Sequence, residues 1–165
     1  MANQILDDYG MDFNTPVMRT AVIEWIEGER CDVAITLAFN KSMHLDIALK
    51  RLSQWLYQFE HEIRRCRPSR LPKDKRLLAF VVPEHQASNI HFHLAIRLID
   101  GEDVTPANLD HFLEVGKRLW RQLQPTGTCD LKRIYDGRGW ARYITKDHYK
   151  CGTELILSHD FHPAG

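Results

Sequence analysis

The fold is decided by Ile90-His91-Phe92-His93-Leu94, a stretch in which apolar and imidazole side chains alternate. Alternate side chains of a β-strand leave opposite faces of the sheet. Phe92 therefore points with its apolar neighbours into a core, whereas His91 and His93 emerge side by side, about 7 Å apart along the strand. The pattern predicts a strand over 90–99 with one buried face and one face available for chemistry.

The segments around this strand predict a split βαβ layout. Further strands are predicted over 32–40, 77–82, 128–135 and 153–158, and helices over 44–65, 105–123 and 137–149. Ser42 is the expected N-cap of the first helix, and Pro83 the expected end of the second strand. The order β-α-β-β-α-β, followed by α-β, is typical of a ferredoxin-like or RRM-like α+β protein. We expect a central antiparallel sheet of about five strands, with the histidines on a central strand. The first two helices should cover one face and leave the third free to cover the other.

Length and composition indicate a single globular domain. The chain has 165 residues, of which 44% are hydrophobic and 27% charged. A chain of this length can form one hydrophobic core without disulfides or structural metals. Four cysteines contain no CxxC pair, which argues against a zinc ribbon or a disulfide framework and favours a reducing cytosol. No apolar run approaches the ~18 residues of a membrane span, and the first residues lack a secretory pattern. We therefore expect a cytoplasmic protein with no membrane partner.

The formal net charge of zero conceals a gradient along the chain. Residues 1–30 hold six acidic and two basic side chains, whereas 31–150 hold 20 basic and 14 acidic ones. We accordingly divide the chain into an acidic lead over 1–30, of unassigned role, and a functional domain over 31–165. Within the lead, 16–27 fits either a short helix or a strand. Basic clusters at 64–76 and 132–150 are either solvated surface or nucleic-acid contacts.

The two histidines form half of a predicted metal site. Glu84 is the favoured third ligand, because a turn over 85–89 can bring it beside the start of the histidine strand; His85 and Gln86 are alternatives. Two nitrogens and a carboxylate suit Mn²⁺, Mg²⁺ or Zn²⁺ and leave positions open for water and phosphate oxygens. Such an ion polarises a phosphoryl group. The alternative interpretation is two surface histidines with no metal.

A candidate nucleophile follows in Tyr143-Ile144-Thr145-Lys146. Helical spacing places Tyr143 and Lys146 on one face. A phenol with a pKa of about 10 is a poor nucleophile, and Lys146 could offset negative charge on the phenolate or on a scissile phosphate. Tyr135 and Tyr149 are weaker candidates. Taken alone, the motif also fits a half-buried tyrosine beside a solvated lysine.

In combination, these motifs resemble those of single-tyrosine HUH endonucleases of the rolling-circle replication initiator (Rep) type. The resemblance spans roughly 31–150 and uses three motifs in family order: Asp32-Val33-Ala34-Ile35-Thr36-Leu37, Glu84 with His91-Phe92-His93, and Tyr143-Ile144-Thr145-Lys146. The order argues against relaxases, in which the tyrosine usually precedes the histidines. Single-tyrosine HUH transposases share the order but usually have glutamine where Lys146 stands.

The resemblance implies a sequence-specific nickase that uses Mn²⁺ or Mg²⁺ and binds single-stranded or hairpin origin DNA. Tyr143 would attack the scissile phosphate, giving a 5′-phosphotyrosine and a free 3′-OH that initiates rolling-circle replication of a plasmid, phage or virus. A prokaryotic host is expected, and a separate helicase, since no phosphate-binding loop motif is present. We expect DNA contacts at four basic side chains: Arg97, Arg133, Arg138 and Arg142.

Two other classes of protein remain open. One is a non-catalytic RRM-like nucleic-acid-binding module, disfavoured because the predicted open face has histidine, threonine and alanine rather than base-stacking aromatics. The other is a metal-dependent hydrolase of a small molecule, which would form no covalent adduct. A decayed HUH protein without turnover would have the same motifs.

Overall fold

Five strands form the centre of the computed structural model, which describes residues 15–85, 87–98, 105–147 and 155–161. They are β1 (Val33–Ala38), β2 (Leu78–Glu84), β3 (His91–Arg97), β4 (Thr128–Arg133) and β5 (Ile156–Leu157). The strand order is β4-β1-β3-β2-β5, and every pair of neighbours is antiparallel. The predicted ferredoxin-like α+β class is confirmed, with the histidine pair on the central strand.

Helices cover both faces of this sheet. They are α1 (Pro16–Gly28), α2 (Leu45–Arg64), α3 (Pro106–Leu123) and α4 (Gly137–Ile144). The larger core lies under α2 and α3 and includes most of the largest fully buried side chains: Trp55, Trp120, Phe39, Phe59 and Phe92. The smaller core joins α1 and α4 to the other face through Ile23, Ile26, Phe80, Val82 and Ile144. No helix in the described ranges is both long and apolar enough to cross a membrane.

The helix α1 resolves the undecided segment of the acidic lead. Thr15 caps it, since the Thr15 hydroxyl accepts a hydrogen bond from the Met18 amide at 3.3 Å, and Pro16 occupies the first helical position. Its buried face consists of Val22, Ile23 and Ile26. The second face of the sheet is therefore shared by α1 and α4. The sequence had predicted only one helix on that face, the one over 137–149 that corresponds to α4.

Several boundaries differ from the prediction. The N-cap of α2 is His44, not Ser42, and its side chain makes no capping hydrogen bond. Strand β2 continues through Pro83, which is tolerated because β5 pairs only with Phe80 and Val81 on that edge.

The helix α4 is shorter than the predicted 137–149, of which 148–150 lie outside the described residues. It ends at Ile144, where the Thr145 hydroxyl donates to the Ala141 carbonyl at 2.7 Å, a local bond that competes with helix continuation. The predicted fifth strand is β5, and residues 153 and 154 likewise lie outside the described ranges.

Candidate metal and tyrosine site

The register of the sheet brings the predicted metal ligands onto one face. Glu84, at the end of β2, lies directly opposite His91 at the start of β3. Thr36 of β1 lies opposite His93 on the other side of β3. Directly opposed residues of antiparallel strands project to the same face. Glu84, His91, His93 and Thr36 therefore form one polar group at the end of the sheet where β3 begins.

The imidazole of His93 is held on both nitrogens. Its Nε2 lies 2.9 Å from a Glu84 carboxylate oxygen, and its Nδ1 lies 3.0 Å from the Thr36 hydroxyl. The ring is almost completely buried, with 4% of the residue exposed. A hydroxyl can donate or accept, so Thr36 can pair with either tautomer of His93. The orientation of this ring is consequently fixed by two cross-strand neighbours.

The protonation states of the group follow from burial and from neighbouring charges. Burial lowers the pKa of His93 below its ordinary value of 6.5, although the Glu84 carboxylate opposes the shift. Burial, followed by the nearby His85, also lowers the pKa of His91. Burial would raise the pKa of Glu84, but His93 and Lys146 outweigh it and hold the pKa below its ordinary value. Neutral imidazoles beside an anionic carboxylate are the forms that bind metal ions.

The tyrosine motif contacts this group directly. The ring centroid of Tyr143 lies 5.4 Å from that of His93, in an edge-to-face arrangement. The Lys146 ammonium sits 4.1 Å from the Tyr143 ring centroid and 3.1 Å from the second carboxylate oxygen of Glu84. Burial would lower the pKa of Lys146, but Glu84 and Tyr143 raise it above its ordinary value. Tyr143 remains 47% exposed, so a ligand can approach it from solvent.

Three hydrogen bonds from side chains hold the helix that positions the tyrosine. The Trp140 indole donates to the Leu94 carbonyl of β3 at 3.0 Å, and its ring stacks on Tyr143 with centroids 5.2 Å apart. At the end of the helix, the Arg19 guanidinium donates to the carbonyls of Arg142 and Thr145, each at 3.0 Å. A cation at a helix C-terminus satisfies free carbonyls and opposes the helix dipole. The acidic lead thus contributes Arg19 to the tyrosine helix.

The donor types suit a divalent ion, although the side chains do not converge on one point. Within the described ranges, no three His, Cys, Asp or Glu side chains are arranged to hold an ion. Glu84 is engaged by His93 and Lys146, and the His91 ring packs edge-to-face on His85, with centroids 5.4 Å apart. Glu84, His91 and His93 still supply one carboxylate and two imidazoles on one face, a donor set that can bind a divalent ion such as Mn²⁺ or Mg²⁺. Gln86, the other alternative ligand, lies outside the described residues, as does Tyr149.

The arginines predicted to contact DNA are distributed unevenly around the site. Arg142 is exposed and adjoins Tyr143 in α4. The other three are paired with carboxylates, Arg97 with Glu29, Arg133 with Asp110 at 2.8 Å, and Arg138 with Glu27 at 2.7 Å. Ion pairs at a surface contribute little to stability, so a DNA phosphate could replace the carboxylate in each pair. Arg97 is furthermore at the opposite end of β3 from His91.

The basic cluster at 64–76 separates into an internal and an external group. The buried Glu60 carboxylate accepts from Arg76 at 2.8 Å and pairs with Arg64 at 3.2 Å. A buried carboxylate requires such partners, so these two arginines fasten the ends of the loop. The exposed members are Arg65, Arg67, Arg70, Lys73 and Lys75.

In comparisons with known proteins, no protein-family model, curated protein or solved structure matches this chain. Function is therefore inferred from the geometry of the site and from the motifs that form it.

Proposed function

We propose that this chain is a metal-dependent HUH nuclease that nicks and rejoins single-stranded DNA through Tyr143, initiating rolling-circle replication of a plasmid, phage or virus. One observation carries the proposal: the histidine and tyrosine motifs, far apart in sequence, form a single cluster. The rings of Tyr143 and His93 lie 5.4 Å apart, and Lys146 bridges Tyr143 and Glu84. A nucleophile beside candidate metal ligands is the arrangement that phosphodiester attack requires.

In this proposal Glu84, His91 and His93 would hold Mn²⁺ or Mg²⁺. When bound, such an ion would supply Lewis-acid activation of the scissile phosphate. When Nδ1 of His93 bears the proton, the Thr36 hydroxyl can accept its hydrogen bond, and this tautomer leaves the Nε2 lone pair available to a ligand. The lowered pKa values of both histidines favour the neutral, ligating form at physiological pH.

Tyr143 provides the nucleophile. Its phenolic oxygen, exposed to solvent, gives its proton to water and attacks phosphorus, the bond from phosphorus to the 3′ oxygen breaks, and that oxygen takes a proton from water to become the 3′-OH. The product is a 5′-phosphotyrosine, and attack by a 3′-OH reverses the reaction and rejoins the strand. The ammonium of Lys146, 4.1 Å from the ring, stabilises negative charge as it develops on the phenolate.

The substrate in this proposal is single-stranded or hairpin origin DNA in the cytoplasm of a prokaryotic host. The strand approaches over the exposed side of α4, where Arg142 adjoins the half-exposed Tyr143. A separate helicase unwinds the duplex.

A non-catalytic RRM-like binding module is the second candidate, and the saturation of Glu84 favours it. Each oxygen of this carboxylate has a basic partner within the chain, His93 at 2.9 Å and Lys146 at 3.1 Å. Such a cluster is electrostatically complete without an ion. The module would bind DNA but form no covalent bond with it.

A denaturing gel separates the candidates. The protein is incubated with Mn²⁺ and a labelled pool of single strands that includes hairpins, as wild type, Tyr143→Phe and Tyr57→Phe; Tyr57 is an exposed tyrosine of α2 and serves as the matched control. We expect a metal-dependent adduct with wild type and Tyr57→Phe that is absent with Tyr143→Phe. Cleavage without an adduct would indicate a metal-dependent hydrolase, and binding without either product would indicate the non-catalytic module. An adduct whose 3′-OH product is rejoined only to a second, different strand end would indicate the transposase.

A further inference from the structure

A cavity of about 300 Å³ opens at the N-terminal end of α4, away from Tyr143. Its walls are the end of α1 and the segment between β4 and α4. Tyr135 forms part of this wall and is 90% exposed, more than any other large hydrophobic residue in the described ranges. The ring therefore contributes little to the core and is available to a ligand.

The polar groups of the wall are balanced in charge. Arg138 pairs with Glu27 at 2.7 Å, Asp136 accepts from the Gly139 amide at 2.8 Å, and Arg30 is exposed at the rim. Two carboxylates offset two guanidiniums, so the cavity lacks the surplus positive charge that binds a phosphate. A carboxylate and a guanidinium side by side do offer the acceptors and donors that pair with the edge of a nucleobase.

We propose that this cavity binds an unstacked base of single-stranded nucleic acid. Tyr135 stacks on the base, and the pair formed by Glu27 and Arg138 makes hydrogen bonds to its edge. The inference rests on the proposed function in one respect, that the bound strand is the one Tyr143 attacks. The eight residues of α4 span about 12 Å, so the base lies a short run of nucleotides from the scissile phosphate. Arg142, exposed and one turn from Arg138, lies on the path between them.

The test is equilibrium binding without metal, which removes the tyrosine chemistry from the measurement. Fluorescence anisotropy is measured with EDTA on two labelled strands of about 20 nucleotides, longer than one such site. One has a random base sequence, and the other is an abasic phosphodiester of equal length. The proteins are wild type, Tyr135→Ala, Tyr135→Phe and the control Tyr57→Ala, whose tyrosine lies on α2 in the opposite layer.

We expect Tyr135→Ala to weaken binding of the base-containing strand about fivefold or more, and Tyr135→Phe to keep it within about twofold, because stacking needs only the ring. Neither variant nor the control should change binding of the abasic strand. Unchanged affinity of Tyr135→Ala for the base-containing strand overturns the inference, as does an equal loss on both strands or an absence of wild-type binding. If the gel shows a covalent adduct but Tyr135→Ala binds normally, the proposed nickase activity is supported and the base-binding cavity is not. If binding depends on Tyr135 but no adduct forms, the base-binding cavity is supported and the nickase activity is not.

Discussion

The Thr36 hydroxyl lies 3.0 Å from Nδ1 of His93, directly across the ladder between β1 and β3. A partner on the outer nitrogen of an imidazole fixes the ring orientation and raises the basicity of the other nitrogen. Thr36 donates when Nε2 bears the proton that faces Glu84, and accepts when Nε2 is to act as a ligand. One hydroxyl therefore supports both states of His93.

Replacement of Thr36 by valine should weaken Mn²⁺ binding about 10- to 100-fold, because the shape is kept and the hydrogen bond to His93 is lost. Isothermal titration of Mn²⁺ into the purified protein measures the change. The control is Thr20→Val, at an exposed position of α1 whose hydroxyl donates to the Pro16 carbonyl of the same helix. Equal affinities for Thr36→Val and wild type would show that the hydroxyl does not support a ligand.

Replacement of Lys146 by methionine should slow adduct formation by about 100- to 1,000-fold, the usual effect of removing one charge-stabilising group. The ammonium 4.1 Å from the Tyr143 ring is lost while the length of the side chain is kept. Single-turnover kinetics on the denaturing gel provide the rate. Lys132→Met, at an exposed lysine of β4, should leave that rate unchanged. A wild-type rate in Lys146→Met would remove the lysine from the proposed chemistry.

Replacement of Arg19 by methionine should lower the free energy of unfolding by about 1–3 kcal/mol, because two carbonyls at the end of α4 lose a charged donor. Hydrogen exchange should accelerate first in the last turn of α4. Urea unfolding and exchange measured by mass spectrometry check both effects. Thr20→Ala, which changes a neighbouring hydroxyl bonded only within α1, is the control. Loss of protection spread evenly over the chain would argue against a local cap.

Acidification should destabilise the metal-free protein. Burial lowers the pKa of His91, His93 and His159 below 6.5, so the unfolded chain binds more protons than the folded chain as the pH falls. The contribution of these histidines to the free energy of unfolding is complete above their pKa in the unfolded chain. It is lost as the pH falls toward their lower pKa values in the folded chain. Between about pH 7 and pH 5, we expect the free energy of unfolding to fall by at most about 1.4 kcal/mol per pH unit for each histidine.

Urea unfolding at several pH values measures this slope, and His93→Asn should flatten it by removing one titrating group. A free energy of unfolding that rises on acidification would reverse the assigned direction.

Replacement of Gly116 by alanine should destabilise the fold by about 1–3 kcal/mol, because the added methyl group overpacks the core. A Cβ at this position would lie 2.5 Å from Leu131 Cδ2 and 3.3 Å from Trp55 Cζ2. Thermal unfolding provides the comparison. In Gly28→Ala, a Cβ would meet nothing within 4 Å, so this helical control should be neutral or slightly stabilising. Equal melting temperatures for the two variants would contradict the close approach of α3 to β4 and α2.

The alternation of apolar and polar residues predicted the sheet and its central strand, because burial of one face requires a period of two. The same alternation placed Thr36 on the histidine face. Its pairing with His93 needed the cross-strand register, which a single strand does not determine. The position of Glu84 beside the start of the histidine strand was predicted from the short turn over 85–89, whereas its register opposite His91 came from the structure.

Contacts between residues far apart in the sequence could not be predicted from the periodicity of apolar residues. Nothing near Arg19 indicates that it reaches the end of α4, and helix or strand could not be decided for its segment. Charge clustering likewise failed to separate internal from external arginines, since Arg64 and Arg76 owe their burial to Glu60, a residue in the middle of an amphipathic helix. Such pairs are determined by packing between elements, and packing is a property of the whole chain.

The hydrogen bonds from Arg19 join positions 123 and 126 residues apart. During translation, the segment that contains Arg19 leaves the ribosome long before its acceptors on α4 are synthesised. In the same way, β1 is synthesised long before β4, its partner in the sheet. The tyrosine cluster can therefore assemble only after synthesis has passed Lys146. A translation product that ended before α4 would retain the histidine strand but lack Tyr143 and Lys146, so premature termination could not release a chain with the complete cluster.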